Sequence, residues 1–111
     1  MTDEIPVTTG GNNIFRDLGF SDAEAEEALV KSELISAIAK TIAHRKLTQI
    51  EAAGLCRTDQ PTLSKVLRGR MESVTIDRLT AWLMALGRTI EIRVRPEMAE
   101  APGHLLFDGP A

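Results

Sequence analysis

The chain has 111 residues, 43 % of them apolar and 26 % charged, with a formal net charge of −3. These values fit one small globular domain, and no run approaches the roughly 18 apolar residues that a membrane span needs. The acidic start Met1-Thr2-Asp3-Glu4 lacks the apolar stretch of a signal peptide. Cys56 is the single cysteine, so no intrachain disulfide can form, and a reducing cytoplasm is the expected location.

The net charge conceals a division. Residues 1–30 carry −6, residues 31–96 carry +6 and residues 97–111 carry −3. A basic middle between acidic ends suggests one phosphate-facing region and a different role for the ends.

Residues 1–13 contain Pro6, Gly10-Gly11 and Asn12-Asn13 and are expected to be a flexible segment, with a short strand conceivable near residues 5–8. Phe15, Leu18 and Phe20 form an apolar group around Gly19. Ser21 with Glu24 fits a capping box. It opens a Gly- and Pro-free run in which Leu34, Ile38 and Ile42, with Ile35, make one apolar stripe. One long helix is expected over 22–46. Thr48 with Glu51 caps a second helix ending near Leu55. Asp59 caps a third, with Pro61 tolerated in its first turn and Gly69 closing it. Thr75 opens a fourth, with Ile76, Leu79, Trp82, Leu83 and Leu86 on one face and Gly87 at its end. Residues 89–95 then alternate polar and apolar, which predicts a half-buried strand stopped by Pro96. Residues 97–111 read as a flexible acidic tail, interrupted by Leu105-Leu106-Phe107.

The second and third helices carry the function. Two short helices joined by about three residues cross steeply, so a small residue is needed at the crossing, and Ala53 fits. Leu63, Val66 and Leu67 fall at i, i+3 and i+4 and face inward. Gln60, Pro61, Ser64, Lys65 and Arg68 then face out, with Thr62 on the flank. Amide, hydroxyl and cationic groups of this length suit a major groove: Gln bridges an adenine edge, Lys donates to guanine, and Pro touches a thymine methyl. Gln60, Pro61, Thr62, Ser64 and Lys65 are therefore expected to contact bases. Thr48 and Gln49 at the start of the second helix, with Arg68 and Arg70 at the end of the third, are expected to contact phosphates.

This pattern resembles the helix-turn-helix of phage repressors and the wider xenobiotic-response-element (XRE) family. The likeness rests on Thr48-Gln49, Ala53, Gln60-Pro61, Leu63-Ser64 and Arg68-Gly69. Arg57 departs from it, standing where the family usually has a glycine at a positive-φ turn. Residues 13–20, the long helix and Leu86-Gly87-Arg88 extend the likeness, over about residues 12–96, to HigA-type antitoxins of toxin–antitoxin operons. The resemblance implies a mainly α, λ-repressor-like domain over 14–96, a dimer on a palindromic operator in double-stranded DNA, and repression of its own operon. It also implies neutralisation of a RelE/HigB-type toxin. On the residues alone, a stand-alone phage-type repressor stays open.

A lone amphipathic strand leaves backbone groups unpaired. A second copy, paired antiparallel across a two-fold axis, would bury Ile90, Ile92 and Val94 and set two recognition helices roughly 34–36 Å apart. Pairing with residues 5–8 is the alternative. Phe15, Leu18 and Phe20 either pack on their own long helix or dock a toxin. Leu105-Leu106-Phe107 is either a recognition motif or a tail folded back. Arg45 and Lys46 are solvated or lie near a phosphate. Cys56 reads as a buried structural thiol, and His44 and His104 have no metal-ligand spacing. No catalytic set, Gly-rich phosphate loop or cofactor signature is present, so no enzyme is expected.

Overall fold

The computed structural model describes residues 14–109. Its elements are α1 (Ile14–Asp17), α2 (Asp22–His44), α3 (Gln49–Cys56), α4 (Gln60–Leu67), a 3-10 turn (Met71–Ser73) and α5 (Ile76–Ala85). The segment expected to be flexible, 1–13, lies outside the described residues.

Local chemistry sets the helix starts. Ser21 accepts from the Glu24 N–H at 3.2 Å while its own N–H donates to the Glu24 carboxylate at 3.0 Å, a complete capping box. Thr48 and Glu51 repeat the arrangement at 3.0 and 2.8 Å. Asp59 and Thr75 cap α4 and α5 through the N–H groups of Thr62 and Arg78.

The helix ends share one device. Each of the five α-helices closes on a residue with left-handed φ: Gly19, Lys46, Arg57, Gly69 or Gly87. Around Arg57, the Thr58 N–H reaches the Ala53 carbonyl at 3.0 Å and the Arg57 N–H reaches that of Gly54 at 3.2 Å, the paired bonds of a Schellman closure. The Lys46 closure is built in the same way on Ile42 and Ala43. Arg57 adopts φ 58°, ψ 44°, the conformation a glycine would take with less strain.

α2 is the spine, packing along α5 and touching α1, α4 and the 3-10 turn. The core is one cluster around Ile38, Leu63, Val66, Leu79 and Leu86, with Leu34, Ile35, Ile42, Trp82 and Leu83 around it. Side chains of α2 also fasten its neighbours. Arg45 donates to the Leu86 carbonyl at 3.0 Å, filling an orphan acceptor at the end of α5. Lys31 donates to the Met71 carbonyl at 3.4 Å and pairs with Glu27. Arg45 is thus tethered to the end of α5 through one of its five N–H donors.

Two expectations need correction. Residues 88–97 form no hydrogen-bonded strand, and no strand occurs among the described residues. Ile90 is half-buried against the core, but Ile92 and Val94 are 88 % and 90 % exposed. The alternating pattern defines an edge, and an edge becomes a strand only when another supplies its hydrogen bonds. The 3-10 turn at 71–73 and the four-residue α1 were also not foreseen; α1 carries Phe15, whose ring meets that of Phe20 at 5.6 Å.

The acidic tail returns to α2. The Leu105 N–H donates to one Glu26 oxygen at 2.9 Å, His104 Nδ1 lies 2.5 Å from the other, and Phe107 packs against the core. Burial opposes charge on Glu26. The Leu105 N–H, His104 and Arg16 outweigh it and hold the carboxyl below its ordinary range.

Candidate nucleic-acid interface

α3 and α4 are eight residues each, too short to persist alone, and are held by burial of one face. Ala52 and Ala53 of α3 are buried, which allows close approach to α4. The Cys56 thiol is buried beside them and points at the Trp82 carbonyl at 3.8 Å; burial raises its pKa, so it stays protonated and unreactive. On α4, Leu63 and Val66 are buried and Leu67 packs on the same core.

With that face fixed, the opposite side of α4 is presented to solvent. Gln60, Pro61, Lys65 and Arg68 are exposed, and Thr62 and Ser64 are half-buried on its flanks. The five residues expected to read bases therefore lie on or beside one free surface. Asp59 fixes the start of this helix by accepting from Thr62 at 2.7 Å, a bond that lowers its pKa and keeps the cap ionised.

Two side-chain pairs on this surface were not foreseen. Gln60 Nε2 donates to Gln49 Oε1 at 2.9 Å, tying the start of α4 to the start of α3. Arg68 donates from a terminal guanidinium nitrogen to Ser64 Oγ at 3.0 Å. The second pair has a sequence signal, the i, i+4 spacing of a donor and an acceptor. The first has none, because it depends on how the two helices cross.

Of the residues expected at phosphates, Thr48 uses its oxygen as a cap acceptor and keeps its O–H to donate. Gln49 keeps its amide N–H groups, since its bond to Gln60 uses the oxygen. Arg70 is exposed just before the 3-10 turn. Arg68 is drawn back along α4 rather than extended from its end. Ile90, Ile92 and Val94 lie on the segment after α5. Phe15, Leu18 and Phe20 lie around α1, with Leu18 67 % exposed.

Two short helices crossed on small residues, the second with a polar outer face, define a helix-turn-helix domain. The chain belongs to the helix-turn-helix domain family, which matches residues 14–95. It is similar to a solved structure assigned as an XRE family transcriptional regulator, with a TM-score of 0.69 and 28 % identity over 78 % of this chain and 98 % of that one. No curated protein matches the chain.

Proposed function

We propose that the chain is a sequence-specific DNA-binding transcriptional repressor that acts as a homodimer on a palindromic operator. The observation that carries this reading is the outer face of α4. It presents Gln60, Pro61 and Lys65 to solvent, and Gln60 is held in place by Gln49 instead of waving freely. Pre-ordering a reading side chain lowers the entropy it loses on docking. Thr62 and Ser64 complete the base-reading set; Thr48, Gln49 and Arg70 take phosphates. The XRE assignment of the similar structure supports the same reading.

Dimerisation is proposed through residues 90–94. Ile92 and Val94 are almost fully exposed on a segment whose backbone forms no strand within the chain. A second copy would supply the missing edge and cover both side chains.

The test is a gel shift of the purified chain on duplexes from its own upstream region at low ionic strength. Retardation that survives excess random duplex supports the reading. Absence of any retained duplex removes it.

An antitoxin role in autoregulation is a second reading, and one observation favours it. Ile14, Leu18 and Phe20 are exposed around α1, and the exposed Asp17 and Glu24 lie in the same stretch of chain, giving an apolar and largely acidic patch there. Such a patch suits a basic protein, here a RelE/HigB-type toxin. Co-purification with the product of the adjacent gene, lost in Leu18→Asp, supports it. Failure to co-purify leaves a stand-alone repressor.

A further inference from the structure

Arg68 differs from the other cations of the surface. Lys65 and Arg70 are exposed with no side-chain hydrogen bond among the described residues. Arg68, by contrast, is turned back on its own helix and bonded to Ser64 at 3.0 Å. Side chains on a helix lean toward its N-terminus, so residue i comes to lie over residue i−4. Four residues of rise move the guanidinium roughly 6 Å along α4 toward Gln60. That direction leads into a duplex, because a recognition helix enters the major groove N-terminus first. A cation at the helix end would meet the sugar–phosphate wall. One drawn back to the level of Ser64 meets the floor of the groove.

We infer that Arg68 reads a base, with guanine as its target, and that Ser64 is its positioning residue. Guanidinium carries five N–H donors in a planar fork, and the bond to Ser64 uses one. Enough remain for the two parallel bonds that arginine makes to the O6 and N7 edge of guanine. Ser64 accepts with its oxygen and keeps its own O–H for a neighbouring acceptor. Gln60, Lys65 and Arg68 then form one reading stripe along α4, and Arg70 is left as the phosphate contact at its end. This assignment rests on the DNA-binding reading above and sharpens it.

The experiment uses the full chain and a pool of random-sequence duplexes. Selection with the unaltered chain yields a preferred duplex. Binding of the unaltered chain, Arg68→Lys, Arg68→Ala and Ser64→Ala is then measured by fluorescence anisotropy on that duplex, on its single base-pair variants and on random duplex. All three substitutions fall on exposed or half-buried positions outside the core, and thermal melting verifies that each variant folds.

Arg68→Lys keeps the charge and loses the fork. It should bind the preferred duplex roughly tenfold to a hundredfold more weakly. It should hold random duplex as before and cease to distinguish one G·C pair. Ser64→Ala should weaken discrimination at that same pair and, in the Arg68→Lys background, add nothing there. Restoration of full preference by lysine overturns the inference. So does an equal loss on every duplex in Arg68→Ala, with the salt slope falling by about one, because both mark a phosphate contact. A selection that enriches no sequence removes the DNA-binding reading itself, and the inference with it.

Discussion

Arg57→Gly should stabilise the protein. Arg57 sits at φ 58°, ψ 44°, where an L-residue's Cβ crowds the following carbonyl at a cost of roughly 1–2 kcal/mol. Glycine escapes that crowding but gives up about 0.5–1 kcal/mol more backbone entropy on folding. The Arg57 side chain has no hydrogen bond or ion pair among the described residues, so its removal loses none. The closing bonds come from the backbone N–H groups of Arg57 and Thr58 and survive the change. At the middle of both ranges the balance is a gain of about 0.75 kcal/mol, or roughly 3–6 °C in Tm for a domain of this size. Circular dichroism at 222 nm during a thermal scan reads it directly. Arg57→Val, β-branched at the same φ, should melt below the unaltered chain. A Tm for Arg57→Gly that is unchanged or lower would refute the strain argument, as would a Val variant as stable as the Gly one.

Other outcomes follow from the same geometry. Gln60→Ala or Lys65→Ala should relax base preference and cost about 1–3 kcal/mol on the preferred duplex, read by anisotropy against single base-pair variants. Under the proposed dimerisation, Ile92→Lys should shift sedimentation from dimer to monomer while leaving the stability of the single chain within about 0.5 kcal/mol, because the side chain is exposed there. The hold of the tail on α2 should depend on pH in one direction. The Glu26 carboxyl lies below its ordinary range when folded, so its stabilising contribution is present above that range and is lost as pH falls through the lowered value. The protection of the Leu105 amide, its intrinsic exchange rate divided by the observed one at each pH, should therefore be high near neutrality and fall in acid. In Glu26→Gln, exchange should be faster near neutrality and should no longer show that carboxylate step.

The parts of this fold that were legible in the sequence are those fixed within four residues. Ser21 with Glu24, Thr48 with Glu51, and Asp59 before Pro61 announced three helix starts, and the structure places a cap at each. The inward set Leu63, Val66 and Leu67 followed from periodicity alone and, by exclusion, left the polar face of α4 to solvent. What escaped depends on long-range approach. The bond from Leu105 to Glu26 spans 79 residues, and nothing in an acidic tail signals which carboxylate it will meet. The Gln49–Gln60 bond needs the crossing angle of α3 and α4. Residues 89–95 show the reverse case: the alternation was plain to read, but pattern alone does not supply the second edge.

The length of α2 has a consequence for the independence of its two ends. Its 23 residues span roughly 35 Å. One end is bordered by Leu18 and Phe20; the other leads through Lys46 into Thr48, Gln49 and, across one hydrogen bond, Gln60. A rod of that span separates the exposed apolar group around α1 from the Thr48, Gln49 and Gln60 end by about one helix length, so a substitution at one end leaves the side chains of the other untouched.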